Sequence, residues 1–179
     1  MVALATFSGR FIKENPDISL DICESHGWSQ VSEIESGRAD LGLSLSVSDV
    51  PSTITKIPYK SANLVVAMPK NHILATRPLV TFEDLIEFEH VTFGPKSGLH
   101  LFMSNLATQM GHELKYRMVS SFDAMYSMIS AGLGIGVLTE VMITPFIQSL
   151  DIVTLPLHED WAQRNIRIIY KEDFIPPPG

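Results

Sequence analysis

Two rhythms of apolar residues alternate along the chain. In "MVALATFSGRFIKENPD" Leu4, Phe7, Phe11 and Ile12 fall on one helical face. That run stops at Asn15-Pro16, because the residue before a proline is pushed out of the α region. "ISLDIC", residues 18–23, alternates at period two and predicts a strand. After "ESHGW", Ser29 is placed to cap a short helix with Val31 and Ile34 on its inner face, closing near Gly37. "ADLGLSLS" predicts a second strand, "NLVVAMP" a buried one, and "FEDLIEF" a helical turn. Then strands and helices take turns: "HVTFGP", a helix "LHLFMSNLATQMG" ending at Gly111, "YRMVSS", a helix "FDAMYSMISAG", and "IGVLT". "VMITPFIQSL" reads as helical around its proline, and "IVTLPL" and "IRIIYK" read as strands. Strands spaced by helices of this length imply α/β units and a largely parallel sheet.

The glycine-rich stretch "SAGLGIGVLTE", residues 130–140, invites comparison with a phosphate-cradling loop. A dinucleotide fingerprint needs its glycines after a strand and at the opening of a helix. Here a helical run (Phe122, Met125, Met128, Ile129) comes first and the strand-like run second. Gly132 therefore reads as the residue just past a helix end, where positive φ costs glycine nothing.

Charge narrows the function. Twenty Asp and Glu against thirteen Lys and Arg give a formal net charge of −7, with the basic residues scattered. Nucleic-acid binding by this chain itself would need a basic footprint, which is lacking. No stretch of eighteen apolar residues predicts a membrane span. One cysteine, Cys23, allows no internal disulfide, and no Cys/His cluster has zinc spacing. A cytoplasmic setting, no metal, no cofactor and no membrane partner are the simplest expectations.

The blocks "FIKENPDISLDI", "IESGRADLGLSLS", "IPYKSANLVVAMPKNHILATRPLVTFEDL" and "SAGLGIGVLTE" together resemble the effector-binding domain of LysR-type transcriptional regulators, itself similar to type II periplasmic binding proteins. The resemblance covers nearly the whole chain. It implies an α/β fold of two lobes joined by two crossing strands, with a ligand cleft between them. The crossings would fall just after "NLVVAMP" and near Gln163, making lobe one residues 1–68 plus 163–179 and lobe two residues 69–162. It also implies a first strand ahead of Met1 and a last helix beyond "IPPPG", so that the fold reads as truncated at both ends. A winged helix-turn-helix would precede them, and DNA would be reached only through that domain. Assembly as a homodimer or tetramer is implied too, with "VALATFSGRFIKEN" and "ISLDIC" supplying much of the contact.

The expected partner is a small-molecule effector. Backbone N–H groups of Gly27, Trp28 and Ser29 at a helix start offer a seat for a carboxylate, with Ser25 and His26 beside them. The family often has Ser or Thr where His26 and Gly27 stand here, so hydroxyl contacts would come from Ser25 or Ser29. The loop "GPKSGLH" contributes Lys96 as a point charge, Ser97 by resemblance, Gly98, and His100 as a donor. Ser121 or Asp123 is placed to cap the next helix, and by resemblance Ser121 also faces the cleft. Each also has a plainer reading as a turn, cap or solvated loop residue.

No catalytic set emerges. Glu33 and Glu35 lie two apart on a helix and point to different faces. Ser97 lacks a G-x-S-x-G turn. The eight methionines read as core filler. A ligand-sensing regulator is the leading function. A transporter's solute-binding protein and an enzyme on the same fold are the alternatives, the first needing a secretory signal and the second a convergent acid/base set.

Overall fold

The computed structural model describes residues 9–23, 28–44, 51–95 and 97–173. A helical stretch over residues 9–14 comes first. The helices that follow are α1 (Trp28–Glu35), α2 (Gly98–Gln109), α3 (Phe122–Ser130) and α4 (Glu140–Ile143). The strands are β1 (Leu41–Ser44), β2 (Ile54–Pro69), β3 (Glu89–Phe93), β4 (Lys115–Val119), β5 (Gly136–Thr139), β6 (Ile152–Pro156) and β7 (Gln163–Lys171).

One long strand organises the chain. Residues 54–63 of β2 pair antiparallel with β7, and β7 pairs antiparallel with β1, giving a first sheet. From Leu64 onward β2 changes partners, running antiparallel to β5 on one side and β6 on the other. A parallel bridge from His90 to Ile135 sets β3 beside the start of β5, and β4 pairs with β3 in parallel. The second sheet therefore reads β4-β3-β5-β2-β6.

Two expectations are corrected here. The sheets are not largely parallel: among the described strands the β3–β4 ladder is parallel and the other ladders are antiparallel. The reason is that β2 passes from one sheet to the other and runs against its neighbours in each. Residues 18–23 are not a strand either; Leu20 and Ile22 are exposed and no ladder among the described residues includes them. Period-two alternation alone does not make a strand; another strand must supply the ladder bonds. A smaller correction concerns Ser29, which lies inside α1 because the helix already begins at Trp28. "VMITPFIQSL" gives only the single turn of α4 before the chain turns at Pro145.

The second half of β2 is buried on both faces. Leu64, Val66 and Met68 join one cluster with Val80, Phe82, Leu85 and Met103. Val65 and Ala67 join another with Val91, Met125, Ile129 and Leu138. Alternate residues of a strand face opposite ways, so α2 covers one side and α3 the other. The first sheet has a smaller core, in which Val31 and Ile34 of α1 meet Ile54 and Ile169.

The glycine stretch is a helix-to-strand turn. Gly132 has φ of +75° just past α3. Gly134 is needed for close approach, since a Cβ there would sit 2.6 Å from the carbonyl oxygen of Glu89.

Candidate functional site

Strands β3, β4 and β5 run the same way and end at the same level. Phe93 lies opposite Val119 in the β3–β4 ladder. Counting four residues on from the His90–Ile135 bridge brings Thr139 level with Gly94. Ring contact between Phe93 and Phe122, edge to face at 4.8 Å, ties the end of β3 to the start of α3. The carboxyl ends of parallel strands are where open α/β sheets hold ligands, because the following helices aim their free N–H groups there.

Two of the expected residues stand at these ends in comparable roles. Ser97 is the N-cap of α2, its hydroxyl oxygen accepting from the His100 N–H at 3.5 Å. Ser121 is the N-cap of α3 and accepts from the Ala124 N–H at 3.2 Å. Each cap fixes the first turn of its helix while leaving further oxygen lone pairs free. Gly98 opens α2. The acidic residues nearby, Asp123 and Glu140, are exposed.

A third hydroxyl joins them that the sequence reading passed over. Thr139 closes β5 opposite Leu64, where β2 passes between the sheets. It is 3% exposed, and its Oγ1 is buried without a hydrogen-bond partner among the described residues. A buried hydroxyl left unpaired costs about 1–3 kcal/mol, so such a group calls for an explanation. The available signal was its place as the last residue of an apolar strand ending level with two others.

His100 stands differently from the open donor that the sequence suggested. Its ring is buried, packs on Tyr116 at 4.3 Å between centroids, and has no partner at Nδ1 among the described residues. Burial holds its pKa below the ordinary histidine value, which keeps the imidazole neutral. Tyr116 in turn shares a 2.7 Å hydrogen bond with Ser104. Trp28 and Ser29 form the first turn of α1, in the other sheet's layer. Ser25, His26, Gly27 and Lys96 lie outside the described residues. Among the described residues no group of three His, Cys, Asp or Glu gathers to hold a metal, and no helix is long and apolar enough to cross a membrane.

The fold has counterparts among known proteins. The family described as the LysR substrate binding domain matches residues 3–178. The HTH-type transcriptional regulator XapR of Escherichia coli (strain K12) is 26% identical over 132 residues, which are 73% of this chain and 45% of XapR. The uncharacterized HTH-type transcriptional regulator YbhD of the same organism is 23% identical over 172 residues, 96% of this chain and 54% of YbhD. The chain thus spans about half the length of the curated relatives it matches. Among solved structures, the effector binding domain of QuiR in complex with shikimate aligns with a TM-score of 0.81 at 20% identity, covering 98% of this chain and 83% of that one. The BenM effector binding domain with its effector benzoate aligns at 0.76 and 21% identity, covering 94% and 77%. At such identities the structural likeness speaks for the fold, which is the type II periplasmic-binding-protein-like one. With the family match extending over nearly all its residues, the chain belongs to the LysR substrate binding domain family of transcriptional regulators.

Proposed function

We propose that this chain is the effector-sensing part of a LysR-type regulator rather than an enzyme, and that it binds a small organic anion in a cleft between two lobes. The lobes are residues 1–68 plus 163–179 and residues 69–162. Binding changes their relative geometry and so biases DNA binding by a helix-turn-helix domain of the full-length, oligomeric protein. The observation that carries this reading is the placement of Ser97, Ser121 and Thr139 at or just beyond three neighbouring strand ends, the last a buried hydroxyl with no hydrogen-bond partner among the described residues. On this reading the facing wall would draw on Ser25, His26, Gly27, Trp28 and Ser29, and the lobe-two side on Lys96 and Gly98 as well. Helix-start N–H groups and hydroxyls suit a carboxylate. The ligands carried by the solved relatives, shikimate and benzoate, belong to that class.

Titration calorimetry of the purified chain against shikimate, benzoate, other small carboxylates and a matched set of organic cations tests this. At least one carboxylate should bind, and Ser121→Ala or Thr139→Val should weaken it roughly tenfold, the worth of one hydrogen bond to a charged group. Thr139→Val should leave folding unchanged or stabilise it by up to about 1 kcal/mol, because an unsatisfied buried hydroxyl is removed. Cation binding alone would reject the charge assignment. Unchanged carboxylate affinity in both variants would reject the site.

A further inference from the structure

Arg164 is a half-buried guanidinium with no carboxylate partner among the described residues. Burial is the one influence on its proton affinity, and it disfavours the charge. Exposed arginines are ordinary, but one partly stripped of water and given no counter-charge calls for a reason. Its partner is aromatic: the guanidinium carbon lies 5.6 Å from the centre of the Phe102 ring. The same ring meets Trp161 edge to face at 4.9 Å, and Trp161 meets Phe82 at 5.8 Å.

The positions of these groups in the chain matter more than the contact itself. Arg164 is on β7, opposite Ala62, one pair away from the Asn63–Gln163 pair after which β2 leaves the first sheet. Phe102 is on α2, which packs on the second sheet and whose cap is Ser97. Trp161 sits in the 3-10 turn Asp160–Ala162, which leads directly into β7. A strand of the first sheet thus grips, through one side chain, the helix that presents a candidate effector contact.

We propose that Arg164 on Phe102 is a latch that makes the first turn of α2 and the β2–β7 crossing move as one unit. Its use in effector signalling rests on the function proposed above; the latch itself does not, and it is testable without any ligand. Because coupling between two elements is reciprocal, loosening either end should loosen the other.

Residue-resolved hydrogen exchange by NMR on the purified chain reads this. Arg164→Met keeps an unbranched stem without charge, and Phe102→Leu keeps an apolar side chain without a π face. Each should speed exchange roughly fivefold, the scale of one partly desolvated cation–π contact, at two places. One is the α2 first turn, where the Leu101 N–H donates to the Ser97 carbonyl; the other is the β7 amides facing residues 60–63. The Val91 and Ile135 amides, bonded between β3 and β5, should be unaffected. The double variant should exchange no faster than either single one. Arg164→Lys, which retains the charge, should stay within twofold of the parent. Additive effects, acceleration confined to the mutated element, or an equal rise at Val91 and Ile135 would each overturn the latch.

Discussion

The two halves of β2 lie in the same strand and live in different solvents. Between Leu64 and Pro69 every residue but Val65 and Leu64 is almost wholly removed from water, and those two are nearly so. Between Lys56 and Ser61 the same strand is largely exposed, with Ile57 at 45% and Tyr59 at 61%. Across the first sheet, Leu41 and Leu43 of β1 are exposed as well. The second sheet is held by helices on both faces, whereas the first rests on α1 and a cluster of four buried residues. The ladder of the first half is interrupted by a register shift between Pro58 and Lys60, and burial adds to the difference, at about 1.5–3 kcal/mol for each large apolar side chain.

The sharpest way to break this comparison is to truncate one side chain in each sheet. Phe82→Ala, in the second sheet's core, should cost about 3–5 kcal/mol. Ile57→Ala, on the exposed half of β2, should stay within about 0.5 kcal/mol. Urea denaturation of both variants gives the ratio. Comparable losses would mean that the first sheet is buried by something not yet accounted for.

A backbone change probes the same asymmetry at a smaller scale. At Gly134 an added Cβ meets the Glu89 carbonyl at 2.6 Å with φ at +157°, so Gly134→Ala should cost about 1–3 kcal/mol. At Gly9, which has open space and no positive φ, the same substitution should be neutral or slightly stabilising. Thermal unfolding followed by circular dichroism separates the two.

The smallest expected effect is that of pH. His90, whose Nε2 lies 3.0 Å from the Leu85 carbonyl, is fully buried in the second sheet, and His100 is buried beside it. Burial lowers the pKa of both; for His90 the Leu85 hydrogen bond and the Glu89 charge oppose this in part. In the unfolded chain both return to about 6.5. Below that value the unfolded state takes up protons that the folded state refuses, so stability present at neutral pH is lost as the solution is acidified. No buried histidine lies among the described residues of the first sheet. The urea midpoint should therefore fall between pH 7.5 and 5.5, and His90→Gln should flatten the slope. An unchanged slope in that variant would place the acid sensitivity elsewhere.

Much of this was legible beforehand, for identifiable reasons. "NLVVAMP", "IGVLT" and the α2 and α3 runs were readable because burial on both faces leaves continuous apolar residues, and burial on one leaves a helical stripe. The first half of β2 was not. "ITKIPYKSA" mixes lysines with apolar residues, and Pro58 breaks its rhythm at the point where the pairing with β7 shifts register. "ISLDIC" had the right rhythm, but none of the described strands pairs with it. At the candidate site, Ser97 was picked out by the family resemblance and Ser121 by its place at a helix start as well. Thr139 escaped because nothing local marks a strand-end threonine as unsatisfied. Only its neighbours in space do that.

The crossing strand has a consequence for the order of assembly. Residues 64–157 hold the whole second sheet within one continuous stretch, so on the ribosome it acquires its core as its own residues emerge. The first sheet cannot follow suit: its middle strand is β7, and the hydrogen bond from Ser61 to Asn165 spans 104 residues. Until β7 is synthesised, β1 and the front of β2 lack the strand that joins them. Such late, long-range pairing is slow and leaves strand edges open to other chains. A pause or truncation before residue 163 should then yield a formed second sheet trailing an unpaired, sticky front end, which is a natural substrate for chaperones.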